Sequence, residues 1–185
     1  MARYYRCAWF DPDAQSADVP GHPLYVYPRQ GAGRIDDPDH EYRVLYLGTD
    51  AAGCVAEVFG DFAVWTPALL DPPPSLPGAF RAVMAYEIEA TLCDLDEPKR
   101  LAEFALRPSQ VVSNDRRATQ QWARDIYETG AYDGVSWWSR RDPRWTSCGL
   151  WGYADATVEQ VTVLVDLAAQ PVVEAADVLL RQVTA

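Results

Sequence analysis

Apolar and polar positions change period several times along the chain, and each change marks an element. LYVY, Leu24 to Tyr27, reads as a short strand of β-branched and aromatic residues. RVLYLG, Arg43 to Gly48, is a continuous apolar run and predicts a central strand. Thr49 or Asp50 can then cap a helix running to about Phe62. In it Val55, Val58, Phe59 and Phe62 fall at i, i+3, i+4 and i+7, on one face. LLDPPPSLPG excludes regular structure, because consecutive prolines forbid both a helix interior and a central strand. FRAVMAYEIEA alternates, with Met84, Tyr86 and Ile88 opposite Glu87 and Glu89, which predicts a strand with one wet face.

Two helices are expected next. LDEPKRLAEFAL has Asp96 as its N-cap and Pro98 in the first turn; RRATQQWARDIYETG buries Ala118, Trp122 and Ile126 and stops at Gly130. YDGVSWWS turns at Asp133-Gly134 into a strand leading to Ser139. VTVLVDL, Val161 to Leu167, is a further strand, and a last amphipathic helix begins near Pro171. The opening segment through DVPGHP is polar and turn-rich. The chain therefore divides into a loosely held lead-in over 1–22 and one domain over 23–185. The order is neither strict βαβα nor all-β, which predicts an α+β single domain with a mixed central sheet.

Composition narrows the function more than the fold. At 185 residues the chain buries enough surface to fold without disulfides or a metal. A net charge of -11 argues against nucleic acid and against anionic lipid, both of which are bound through clustered Lys and Arg. It leaves room for a small phosphorylated ligand, because a local arginine cluster focuses potential inside a cleft. It also suits a basic protein partner. Cys7, Cys54, Cys93 and Cys148 are far apart, and only His22 and His40 could join them, so no zinc site is expected. The first ten residues lack the apolar core of a signal peptide, and no run approaches a membrane span. A cytoplasmic protein is expected.

Three places could carry chemistry. Arg34 follows Gly31 and Gly33, where the backbone can approach a ligand and a guanidinium can take two phosphate oxygens. On its own this reads first as a surface arginine on a loop, since GAGR is not a dinucleotide fingerprint. Glu57 lies on the helix face away from Val55 and Phe59, in a stripe with Cys54 and Asp61; the plain reading is a solvated glutamate. Tyr46 is equally a packing residue. WWSRRDPRWTS is the least ordinary stretch, with Trp137, Trp138 and Trp145 interleaved with Arg140, Arg141, Arg144, Ser139 and Ser147. Aromatic faces with guanidinium groups suit a flat heterocycle and its phosphates. A tryptophan-rich core edge beside a solvated arginine turn accounts for it as well.

LYVYPRQGAGRIDDPDHEYRVLYLGTDAAGCVAEVFGDF, with the later DGVSWWSRRDPRWTSCGLW, resembles the RES domain family, named for an arginine, a glutamate and a serine. The order carries the resemblance: a glycine-rich turn with Arg, an LY strand, an AxAE-like helix, then DG, a strand and Ser. Members supply the toxin of bacterial toxin–antitoxin pairs, and the fold implied is similar to ADP-ribosyltransferases. The activity implied is cleavage of the nicotinamide–ribose bond of NAD, by phosphorolysis or hydrolysis. NAD would be substrate rather than cofactor, with inorganic phosphate as a candidate co-substrate.

The partner implied is an antitoxin with a helix-turn-helix domain, which occludes the active site and binds DNA itself. Carried over by residue, Arg34 and Glu57 are the catalytic candidates, and Tyr46 and Ser139 bind substrate. Arg43 and Trp138 join them as binding candidates. The chain departs from the family at Val26, where many members have an arginine after LY, and at Ile35. Arg29, Arg43 or the arginines of 140–144 could replace the first contact. Transfer of ADP-ribose to a protein, or an inactive acidic protein that only binds a partner, are the competing expectations.

Overall fold

The computed structural model describes residues 1–184. Nine strands, β1 (Ala2–Phe10), β2 (Leu45–Gly48), β3 (Val64–Trp65), β4 (Phe80–Ile88), β5 (Leu92–Asp94), β6 (Gly134–Trp138), β7 (Thr146–Leu150), β8 (Thr157–Val163) and β9 (Gln182–Val183), alternate irregularly with five helices. The helices are α1 (Ala51–Phe59), α2 (Pro98–Glu103), α3 (Pro108–Val111), α4 (Arg116–Glu128) and α5 (Gln170–Val178). Seven strands form one mixed sheet in the order β5-β6-β7-β2-β1-β4-β8, and β3 pairs with β9 in a separate ribbon. Only the β5–β6 pairing in the large sheet is parallel. This is the α+β domain with a mixed sheet that the pattern predicts.

The expected loose lead-in is corrected over its first half. Ala2 to Phe10 is an inner strand that pairs residue for residue with β4, from Ala2–Ile88 to Phe10–Phe80. Tyr4 is buried on one face and Cys7 on the other, so both faces are covered and no polar–apolar alternation marks the strand. Leu24 to Tyr27 is not a strand. The Pro23 and Tyr25 carbonyls accept from Arg6 Nη1, at 3.2 and 2.8 Å, and Tyr86 Oη also donates to Pro23 O. Side chains thus satisfy this segment, and Pro28 offers no N–H to a ladder.

β2 is shorter than expected because Gln30 takes the place of a neighbouring strand. Its side-chain amide donates to Val44 O (2.8 Å) and accepts from Val44 N (2.6 Å). α1 begins where expected, with the Asp50 carboxylate accepting from Gly53 N at 2.8 Å. It ends at Phe59 rather than Phe62, and Phe62 is exposed. β4 has no continuous wet face. It lies between β1 and β8, and Val83 belongs to the apolar cluster under α1 and α5, with Val55, Phe59 and Val172. A second cluster on β1, β2 and β4 holds Leu45, Met84 and Tyr86, and a third lies under α4 around Trp122 and Ile126. α2 starts after Glu97 rather than Asp96, and β8 lies four residues earlier than VTVLVDL.

Candidate active site

β1 and β2 are neighbours in the sheet, yet their ladder has a single register pair, Tyr5–Gly48. Beyond it Cys7 to Trp9 and Tyr46 to Leu47 no longer pair with each other, and both border a cleft of about 520 Å³. That volume suits a small-molecule ligand. α1 closes one side with Cys54, Glu57 and Val58, and Asp61, just beyond the helix end, borders the cleft with them. The hairpin between β6 and β7 brings Ser139, Arg140, Arg141 and Trp145 to the other side.

The glycine-rich loop is built around one carboxylate. Asp36, 3% exposed, accepts from Gly31 N and Gly33 N, both at 2.7 Å, and from Tyr46 Oη at 2.6 Å. The Gln120 side chain donates to the carbonyls of Gly31 and Gly33, and Arg116 Nε donates to that of Ala32. A Cβ on Gly33 would collide with Tyr46 Oη and the Asp36 carboxylate, so only glycine lets the loop pass. Burial first, and Asp36 second, push the Tyr46 phenol well above its ordinary value, so it stays a donor.

This loop delivers Arg34, which is buried rather than on the surface. Its Nη1 donates to Val111 O at 2.8 Å and Ser113 O at 2.7 Å. Burial lowers its pKa most, and the neighbouring Arg116 and Arg140 guanidinium groups lower it further. Glu57 opposes them. Arg34 and Glu57 do face one cleft, though no ion pair joins them among the described residues. Glu57 instead accepts from Ser139 Oγ at 2.5 Å, and Ser139 Oγ in turn accepts from Arg141 N at 3.0 Å. Ser139 N donates to Trp145 O at 2.7 Å, which fixes the hydroxyl at the hairpin mouth.

Of the residues singled out in the sequence, Arg34, Tyr46, Glu57 and Ser139 therefore meet. Arg43 does not line the cleft; it is exposed, before the start of β2. Trp138 also lies outside. Trp137, a buried member of the cluster around Trp122, also borders the cleft, whereas Trp138 packs half-buried against that cluster and does not reach it. Val26 is core, 4% exposed, and Arg29 is exposed outside the cleft.

The cations come from elsewhere. Arg6, Arg81, Arg116, Arg140 and Arg141 border the cleft with Arg34, against two carboxylates, Glu57 and Asp61. The chain as a whole carries -11, so its charge is locally inverted here. Arg140 Nη1 donates to Asn114 Oδ1 at 2.6 Å, and Arg141 pairs with Asp61 at 2.7 Å. Arg81 Nε, Arg116 Nη1 and Arg141 Nε are buried without a hydrogen-bond partner among the described residues. Unmatched donors of this kind, in a concave site, suit an anionic ligand. Nothing local in the sequence separates Arg81 or Arg116 from ordinary strand and helix arginines.

The RES domain family model matches residues 3–172, and the chain belongs to that family. A solved structure, the crystal structure of the M. tuberculosis MbcT-MbcA toxin-antitoxin complex, contains a chain similar to this one in fold. The TM-score is 0.59 at 16% identity, over 88% of this chain and 84% of that one. No curated protein sequence matches the chain. Among the described residues no helix is long and apolar enough to cross a membrane, and no group of three or more His, Cys, Asp or Glu is placed to hold a metal.

Proposed function

We propose that the protein is the toxin of a toxin–antitoxin pair and that it degrades NAD by cleaving the nicotinamide–ribose bond. The observation that carries this reading is the Glu57–Ser139 pair inside an arginine-lined cleft. Membership of the RES family and a structural likeness to a chain of a toxin–antitoxin complex support the biological role. The antitoxin would carry a helix-turn-helix domain and cover the cleft. The acidic exterior fits a protein partner and disfavours direct binding of nucleic acid.

In the reaction the C1′–N bond breaks and its electron pair returns to the pyridinium nitrogen, releasing neutral nicotinamide. No general acid is needed, because the leaving group is already cationic. Positive charge grows on the ribose C1′ and O4′, and the Glu57 carboxylate stabilises it. Ser139 holds that carboxylate in position before the charge appears, which is electrostatic preorganisation. Arg34, with Arg116 and Arg140 beside it, holds the pyrophosphate or an attacking phosphate. The Tyr46 ring packs against nicotinamide or its ribose. Water, which gives up a proton to the solvent, or an oxygen of inorganic phosphate then forms the new C1′–O bond.

The test is incubation of the purified chain with NAD, with and without inorganic phosphate, followed by separation of the products. Loss of NAD only with phosphate means phosphorolysis; loss without it means hydrolysis. Glu57→Gln should lower turnover about 10²–10³-fold, with a smaller effect on KM. Intact NAD in both incubations, or a fully active Glu57→Gln, overturns the reading.

A further inference from the structure

Arg81 has no role in the chemistry just described, and it is the odd cation of the cleft. Its guanidinium lies over the Trp9 ring, 3.6 Å from the centroid, with the Phe59 ring further off at 5.7 Å. Trp9 and Arg81 are direct register partners on β1 and β4, so the ladder itself holds the stack. The guanidinium makes no hydrogen bond or ion pair among the described residues, and its buried Nε is unpartnered. That isolation is notable in a chain with 27 acidic residues, any of which could have been placed beside it. Stacking on an indole satisfies one face of the cation and leaves its edge for an anion.

The position matters as much as the chemistry. Ser139 follows β6, whereas Arg81 is on β4, and the order β6-β7-β2-β1-β4 places them four strand steps apart. At about 4.8 Å per step this is on the order of 19 Å. An extended dinucleotide spans a strand separation of that order.

Resting on the NAD-cleaving reading, we propose that Trp9 and Arg81 form a second subsite of the cleft, which takes the adenylate half of the dinucleotide. Arg81 would pair with its phosphate, and the aromatic platform would carry the base. The pair are positioning residues, remote from the bond that breaks.

Two measurements test this. Turnover of NAD is compared with turnover of nicotinamide mononucleotide, which has the same scissile bond and no adenylate half. Arg81→Met, which keeps a long unbranched side chain beside Trp9 without the charge, should raise KM for NAD about 10- to 100-fold and leave kcat and the mononucleotide kinetics unchanged. Equal losses on both substrates, or no loss on NAD, overturn the subsite. The second measurement is calorimetric titration with ADP-ribose, which needs no catalysis. Wild type should bind it and Arg81→Met should bind 10- to 100-fold more weakly, about the range expected for one charged contact. Unchanged ADP-ribose affinity overturns the subsite even where NAD is cleaved, whereas weakened affinity without any NAD cleavage removes only the parent reading. Arg81→Lys keeps charge without the planar fork and should fall between the two, which guards against misfolding of the methionine variant.

Discussion

Ser139 makes two bonds with one hydroxyl, donating to Glu57 and accepting from Arg141 N, and it is 2% exposed. Replacing it with alanine leaves the part-buried Arg141 N–H without a partner and frees the carboxylate to rotate. Ser139→Ala should therefore cost about 1–3 kcal/mol of stability and lower NAD turnover more than NAD affinity. Urea unfolding and steady-state kinetics on the same preparation separate the two effects; unchanged kcat would remove the positioning role. Tyr46 is a parallel case one step further from the chemistry. Its hydroxyl donates to Asp36 and accepts from Ile35 N at 3.1 Å, so Tyr46→Phe should loosen the loop that carries Arg34. The expected result is weaker binding of NAD with the Glu57-dependent step intact, seen as a rise in KM. A matched fall in kcat with unchanged KM would mean that the hydroxyl itself, and not only the ring, acts on the reacting centre. Four residues of this site were legible in the sequence because the family order of Arg, Tyr, Glu and Ser marks them. Arg81 and Arg116 were not, since only the chain's path brings ordinary strand and helix positions to one cleft.

At the scale of elements, α1 is fixed by what it lies on. Gly53 sits over Trp145, and a Cβ there would be 2.9 Å from the indole Cγ and 3.2 Å from Cβ. These atoms are near the backbone of a residue at the foot of β7 and cannot swing aside. Gly to Ala inside a helix ordinarily gains up to about 1 kcal/mol through propensity, whereas overpacking a tight contact costs about 1–3 kcal/mol. The clash should win, so Gly53→Ala lowers the melting temperature. A stabilised single variant would mean that α1 can lift from the hairpin. The helix itself was readable from its apolar spacing and its Asp50 cap. β1 was not, because its partner residues on β4 are 70 or more positions away and burial on both faces erases the period of two. β7 was hidden for a related reason: TSCGL carries few β-branched residues and is held by two neighbours, β6 and β2. LYVY shows the converse failure, good strand composition in a segment whose carbonyls are taken by Arg6 and Tyr86.

The whole molecule keeps four thiols buried and unpaired, and that arrangement sets its response to base. Burial pushes Cys7 up to about 12 and Cys93 up to about 11, from 9.0; it lifts Tyr86 to about 12 from 10.0. The sign follows from which state holds the proton. Below about pH 9 these groups are protonated in both folded and unfolded chains, and their contribution to stability is fully present. Above pH 9 the unfolded chain releases protons that the folded one retains, so stability falls until the folded values near 11 and 12 are passed. Each group can contribute up to about 1.4 kcal/mol per pH unit inside its window. Melting temperature under reducing conditions should therefore be flat from pH 7 to 8.5 and drop steeply between pH 9 and 11. Rising negative charge would also destabilise so acidic a chain at high pH, and a control is needed to separate the two. Cys7→Ala with Cys93→Ala removes two thiol windows and leaves the net-charge effect in place. Its melting curve should be the flatter of the two above pH 9; parallel curves would assign the alkaline loss to charge repulsion alone.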